Sequence, residues 1–250
     1  MQYSVVIPAF NEESRITTTL TRILGFMKDF VESFEIIVVD DGSSDETVKM
    51  VTEYSQDHPE VSLIANPHRG KGYAVRTGVL VSKGDLVLMA DADMATPIDE
   101  LKRLAVWIED HDFDIVVSSR EGVGATRHNE PLLRHIMGRV FNMIIRMLTR
   151  LGIQDTQNGF KLFKGDIARE IFGKLVLFGS DSRDITIPRV SAFDVEVLVV
   201  AKRLGYEIKE IPITWTYVPT TRVHPIRDSF LNFWDVIRIK ANDMKGRYGK

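Results

Sequence analysis

Apolar residues recur along this chain with two different periods. Continuous blocks at residues 3–7, 35–39, 61–64 and 86–90 have the length of strands. Helix-spaced patterns separate them, one after Asn11, one opening near Ser44 and one over 72–81. The order is βαβαβ. A block such as Ile36-Ile37-Val38-Val39 shows no polar alternation, so it reads as a strand buried on both faces, as a parallel sheet covered by helices requires. A helix over 99–110 and a strand over 114–118 continue the pattern. Then come a long helical pattern at 131–151, another at 194–204, an alternating strand at 206–216 and a final helix at 228–245. No internal repeat or clear linker interrupts the chain, so the second half is expected to build onto the same sheet, making 1–250 one α/β domain.

Composition then removes several classes. Hydrophobic residues make up 44% and charged residues 27%, which sets aside disordered, collagenous and multi-span membrane chains. A formal net charge of -3 argues against wholesale nucleic-acid binding. Without cysteine there are no disulfides and no thiolate ligands, so a metal would be held by carboxylates, imidazoles or phosphates, and a reducing, cytoplasmic compartment fits best. The opening residues lack a basic stretch followed by a long apolar run, and no apolar segment is long enough to span a bilayer. The expectation is a chain neither exported nor anchored by its own span.

Chemistry is expected at the carboxyl ends of the strands, where loops and helix N-termini converge. The first strand runs into Pro8-Ala9-Phe10-Asn11-Glu12-Glu13, the second into Asp40-Asp41-Gly42-Ser43-Ser44-Asp45, and the fourth into Asp91-Ala92-Asp93. Each has an ordinary reading by itself: Asn11 and Ser44 suit helix N-caps, and Asp-Gly suits a turn. The acidic pair is harder to dismiss. Two carboxylates one residue apart repel unless a cation lies between them or they take different partners, and Mg²⁺ or Mn²⁺ shared with substrate phosphates answers that need. Between the Asp40-Asp41 and Asp91-Asp93 segments, His68-Arg69-Gly70-Lys71-Gly72 reads either as a diphosphate-facing loop before a helix N-terminus or as a flexible basic loop. It lacks the spacing of a P-loop.

Together, Val5-Val6-Ile7-Pro8-Ala9-Phe10-Asn11-Glu12, Ile36-Ile37-Val38-Val39-Asp40-Asp41-Gly42-Ser43 and Asp91-Ala92-Asp93 resemble the large inverting glycosyltransferase family that includes polyprenyl-phosphate sugar synthases. The resemblance implies a GT-A fold, with a mostly parallel nucleotide-binding sheet flanked by helices and acceptor-side elements in the C-terminal part. Residues 1–120 would form the nucleotide-sugar half and 121–250 the acceptor and membrane-facing half. By the same resemblance Pro8, Ala9, Glu12, Val38, Asp40, Lys71 and Ala92 would line the nucleotide-sugar site. Asp91 would hold base or ribose, and Asp93 would bind a Mg²⁺ or Mn²⁺ ion bridging the diphosphate, with Asp91 as the second candidate ligand.

Later stretches narrow the resemblance. Asp155-Thr156-Gln157-Asn158-Gly159-Phe160-Lys161, Phe193-Asp194-Val195-Glu196 and Glu210-Ile211-Pro212-Ile213-Thr214-Trp215 are similar to dolichyl-phosphate glucosyltransferases and somewhat less to the mannose enzymes. The expectation is a chain without the hydrophobic N-terminal anchor usual in eukaryotic glucosyl enzymes, and Met94-Ala95-Thr96 replaces the Leu-Gln common after the acidic motif in mannosyl relatives. The resemblance implies UDP-glucose as donor and dolichyl or polyprenyl phosphate as acceptor. A phosphate monoester, with a second pKa of about 6, needs no strong base; it needs cations to orient it. Arg120, Arg134 and Arg222 are the candidates for acceptor phosphate or departing diphosphate, and Asp155 for an electrostatic role. Candidate catalytic residues are therefore Asp93, Asp155, Arg120 and Arg134.

The patterns at 131–151 and 228–245 join large apolar residues to several arginines and lysines. Such helices either lie in a membrane interface or pack on the sheet, and the first could also bind a membrane subunit or a second copy. Within enzymes, a GDP-mannose donor or a hydroxyl acceptor is the alternative, the latter requiring a general base. A nucleotidyltransferase would carry a Gly-rich signature near the N-terminus, which Pro8-Ala9-Phe10-Asn11 is not. A silent nucleotide-sugar or lipid-binding subunit is the alternative of another class.

Overall fold

The computed structural model describes residues 2–180, 191–219 and 225–249. Its central sheet has seven strands in the order β3-β2-β1-β4-β7-β5-β8. These are β1 (Tyr3–Ala9), β2 (Phe34–Asp40), β3 (Val61–Ala65), β4 (Leu86–Met89), β5 (Ile115–Ser119), β7 (Lys161–Lys164) and β8 (Ile208–Pro212). All neighbours are parallel except β7, which lies antiparallel between β4 and β5. A small second sheet pairs β6 (Thr126–His128) with β9 (Thr214–Thr216) in parallel.

Strand residues alternate between two cores. Val6, Ile37, Val39, Val87, Val117 and Phe163 point to one face, packed under α3 (Lys71–Val81), α6 (Gly165–Gly173), α7 (Phe193–Leu204) and parts of α5 (Leu132–Thr149) and α8 (Pro225–Met244). Val5, Ile7, Ile36, Val38, Leu88 and Val116 point to the other, under α1 (Ile16–Phe30), α2 (Thr47–Asp57) and α4 (Leu101–Glu109). That two-sided burial is the physical reason the first strands read as unbroken apolar blocks. Gly78 lets α3 press onto the sheet, since a Cβ there would stand 2.5 Å from Val6 Cγ1.

Two elements differ from the sequence reading. The segment Asp155 to Phe163 carries no strand in that reading, yet β7 enters the middle of the sheet and α6 follows it directly. A four-residue strand beginning and ending in lysine carries little pattern, and Lys161 is fully buried, its charge met by Asp194. The alternating run at 206–216 is not one strand: β8 ends at Pro212, which has no N–H to continue the ladder, and β9 leaves for the second sheet. No helix among the described residues is long and apolar enough to cross a membrane.

Candidate functional site

At the carboxyl ends of β1, β2, β4 and β5 a cleft of about 430 Å³ opens, within the size range of small-molecule sites. Pro8, Ala9, Phe10 and Glu12 line it from the end of β1, and Asp91, Ala92 and Asp93 from the end of β4. Cross-loop hydrogen bonds hold this floor. Asn11, at a left-handed φ of 52°, accepts from the Ser44 N–H at 2.8 Å and donates its own N–H to Ser43 Oγ, while the Glu12 N–H reaches Thr47 Oγ1 at 2.7 Å. Asn11 therefore clasps the second loop and does not cap α1, which opens only at Ile16.

Asp40 and Asp41 divide their work in a way their adjacency hid. Asp40 is turned inward, with Oδ2 accepting the N–H groups of Gly42 and Ser43, so it shapes the loop and does not line the cleft. Asp41 faces the cleft and gathers the basic loop. It accepts from the N–H groups of Arg69 and Gly70 and pairs with His68 Nδ1 at 2.8 Å, and burial pushes its carboxyl above the usual range. His68 in turn stacks on Phe10, ring centroids 4.3 Å apart and nearly parallel. Val38, expected at the nucleotide site, is a wholly buried core residue of β2 and is corrected accordingly: its side chain belongs to the sheet face beneath the cleft.

The segment at 68–72 is an ordered turn into a helix. Gly70, at φ 94°, precedes the first turn of α3, and Lys71 Nζ meets Asp91 Oδ1 at 2.5 Å. Burial works against the charge on Lys71, but Asp91 and Asp194 outweigh it and raise its pKa. Asp93 is pushed up, first by burial and then by the charge of Asp91, with the Ala95 N–H and Lys71 opposing. A half-buried carboxylate destabilised by its acidic neighbour is a fitting place for a divalent cation with oxygen ligands. Among the described residues no group of three or more His, Cys, Asp or Glu side chains stands ready to hold a metal, so Asp91 and Asp93 would need oxygens from a diphosphate or water to complete a coordination shell. Gly159 abuts this pair, and a Cβ there would collide with the Asp91 carboxylate.

The opposite wall is cationic. Arg120, after β5, is bound to the fully buried Asp155 through its backbone N–H at 2.9 Å, Nε at 2.7 Å and Nη2 at 2.8 Å, and its guanidinium lies over Trp215. Burial would raise the Asp155 carboxyl, but Arg120 holds it down to about 2. Arg127 is clamped by Glu121 and Glu130. Arg134 projects from the first turns of α5 over the Tyr217 ring, and Gly138 and Asn142 extend the same row along the helix. A continuation of the cleft is shared by Arg120, Arg134, Asp91 and Asp93 and reaches Gly159 and Trp215, so the acidic pair and the arginines face one volume. Arg222 lies outside the described residues.

Other motif residues serve as scaffold. Glu196 accepts the backbone N–H groups of Val176, Leu177 and Phe178, and Glu210 those of Gln154 and Asp155. Asp194, which lines the cleft, is held by Lys161. Phe10, Asp41 and Asp194 stood within recognised motifs without an assigned role. Arg127, in the three-residue strand β6, and Glu130, just after it, carry no sequence pattern that points to the cleft.

A family model described as "Glycosyl transferase family 2" matches residues 4–172. The dolichyl-phosphate beta-glucosyltransferase of Dictyostelium discoideum is 35% identical over 256 residues, covering 97% of this chain and 75% of that protein. The human protein of the same name is 32% identical over 267 residues, covering 99% and 77%. Among solved structures, mannosyl-3-phosphoglycerate synthase from Rubrobacter xylanophilus superposes with a TM-score of 0.68 at 17% identity, over 99% of this chain and 75% of that one. Glucosyl-3-phosphoglycerate synthase from Mycobacterium tuberculosis, in complex with Mn²⁺, UDP and glucosyl-3-phosphoglycerate, gives 0.64 at 18% identity, over 98% and 79%. These likenesses establish the GT-A fold.

Proposed function

The chain belongs to glycosyltransferase family 2, and from that premise we propose that it transfers glucose from UDP-glucose to a dolichyl or other polyprenyl phosphate, inverting the anomeric centre, at a membrane surface. The observation that carries this reading is one cleft in which the acidic pair Asp91 and Asp93 faces the guanidinium groups of Arg120 and Arg134. The relatives named for this reaction are alike over nearly the whole chain.

In this reading the nucleoside sits on the floor formed by Pro8, Ala9 and Phe10, with Asp41 and His68 at its side. The diphosphate lies between Lys71 and the acidic pair. Asp93 and Asp91 would hold Mg²⁺ or Mn²⁺, which as a Lewis acid stabilises charge on the departing diphosphate. Lys71, kept protonated by Asp91 and Asp194, adds a fixed positive charge there. Arg134 orients the acceptor phosphate, and Arg120, anchored on Asp155 and Trp215, gives that wall its rigid base.

The state of the carboxylates favours an acceptor that is already anionic. Glu12, Asp91, Glu130 and Asp194 are ion-paired with Arg15, Lys71, Arg127 and Lys161, and Asp41 with His68. Asp155, held at about 2, is a poor proton acceptor at neutral pH, whereas a phosphate monoester attacks without surrendering a proton to the protein. The test is direct. Purified protein is incubated with Mg²⁺ or Mn²⁺, a short polyprenyl phosphate and labelled UDP-glucose or GDP-mannose. Label is expected in the organic phase with UDP-glucose, as a β-linked product by NMR. Label from GDP-mannose alone would replace the donor, and none from any nucleotide-sugar would overturn the reading.

A further inference from the structure

Helix α5 has two faces with different chemistry. Arg134, Gly138 and Asn142, spaced by four, line the cleft, and Ile145 continues that side into the core. On the roughly opposite side, at intervals of four, four, three and four, stand Leu132, Ile136, Val140, Met143 and Met147. All five are exposed, Leu132 and Met147 at 72%. A soluble helix normally turns such a stripe to the core. Here the core already has the other side, and among the described residues nothing buries the stripe.

The charge beside the stripe decides what would cover it. Arg139 and Arg146, seven residues apart and both exposed, flank it along one edge, with exposed Arg150 just past the helix end. The segment 131–150 contains four arginines and neither Asp nor Glu, in a chain whose formal net charge is -3. An apolar ridge edged by arginine alone complements a surface that is apolar within and anionic at its rim, which describes a bilayer containing acidic lipids. A protein partner would be met as well by mixed charges. Helix α8, packed beside α5, exposes Phe230 and Trp234 one turn apart, and aromatic residues of this kind settle at the lipid interface.

We propose that the outer face of α5, the stripe from Leu132 to Met147 with Arg139 and Arg146 at its edge, seats the protein on an anionic lipid surface while the inner face of the same helix forms the rim of the cleft. The proposal deepens the preceding reading and rests on it for the identity of the molecule entering the cleft. One helix, about 10 Å across, then separates headgroups from cleft, so a lipid-borne phosphate has to rise only about that distance to reach Arg134. The first turns of α5 favour this geometry, because positions 134 and 136–140 are all exposed and the helix projects beyond the core.

The experiment uses the full chain, vesicles of phosphatidylcholine with or without phosphatidylglycerol, and two variants, Val140→Glu/Met147→Glu and Arg139→Glu/Arg146→Glu. None of these residues lines the cleft. The native protein is expected to co-sediment with the anionic vesicles and much less with the neutral ones, and each variant to bind at least about tenfold more weakly. Circular dichroism and thermal midpoints should match the native protein. Glucosyl transfer to a short, water-soluble prenyl phosphate should be unchanged, while transfer to a long-chain acceptor in vesicles falls. Native protein that stays in the supernatant with both vesicle types would overturn the proposal. So would a dimer in analytical ultracentrifugation that Val140→Glu/Met147→Glu splits, since the stripe would then belong to a second copy. Absence of short-chain transfer by the native protein would count against the proposed reaction alone, leaving co-sedimentation to decide the surface.

Discussion

The acidic wall of the cleft hangs from the ends of β1 and β4, whereas the arginine-bearing wall is carried by the loop after β5, by β6 and by a helix that stands half outside the core. In the first, side chains are placed by strand register and cross-loop hydrogen bonds: Ala9 pairs with Asp40, the Asp41 N–H is given to Ala9, and Asn11 clasps Ser43 and Ser44. In the second they are placed by ion pairs, Arg120 on Asp155 and Arg127 on Glu121 and Glu130, and by the pose of α5. A backbone-placed wall shifts only if the sheet shifts, so substitutions there should change chemistry and leave stability nearly intact. A wall built of buried charges should answer substitution with stability as well.

The sharpest way to break this contrast is Asp93→Ala. It should lower metal-stimulated turnover by about a thousandfold or more with little change in the urea midpoint, and activity near the native level would remove the acidic wall from the mechanism. Asp155→Asn should cost stability as well as activity. Arg120, 19% exposed, would lose its counter-charge, a loss of about 3 kcal/mol or more read by urea unfolding. Next comes Arg134→Ala, expected to raise the KM for the acceptor about tenfold to a hundredfold while leaving the KM for the nucleotide-sugar unchanged. A rise in the donor KM instead would place Arg134 at the wrong end of the cleft.

The smallest effect concerns acid. Asp155 titrates at about 2 in the fold against an ordinary 3.8, so the folded state holds its proton less tightly than the unfolded chain. The stability it contributes is complete above about pH 4 and is lost as the pH falls through about 2. Thermal midpoints of Asp155→Asn and native protein should accordingly converge across that window. Parallel curves would mean that the Asp155–Arg120 pair is not what stabilises the cationic wall.

The acidic wall is largely legible in the amino-acid sequence. A strand buried on both faces announces itself as an apolar block, and the residues just past its carboxyl end must form a loop at the sheet's edge; Pro8, Asp91 and Asp93 are placed on that ground. Within those same loops, the choice between Asp40 and Asp41 is not legible, because neighbouring side chains on a tight turn point in different directions according to backbone torsions. Val38 is misplaced at the site because a motif groups residues by sequence, whereas a strand sends alternate side chains to opposite faces.

The parallel sheet, its covering helices and the acidic pair at its edge follow from the sequence alone, since they depend on local periodicity and on the hydrophobic demand of each element. Tertiary structure decided the rest. It inserted β7 antiparallel between β4 and β5, which brought Gly159 against Asp91 and Lys161 against Asp194, and it paired Arg120 with Asp155 across 35 positions of chain. It also chose which side of α5 meets the cleft and which is left bare. Charge pairs and helix faces of this kind have no local signature, because each side chain's partner is set by where distant elements pack.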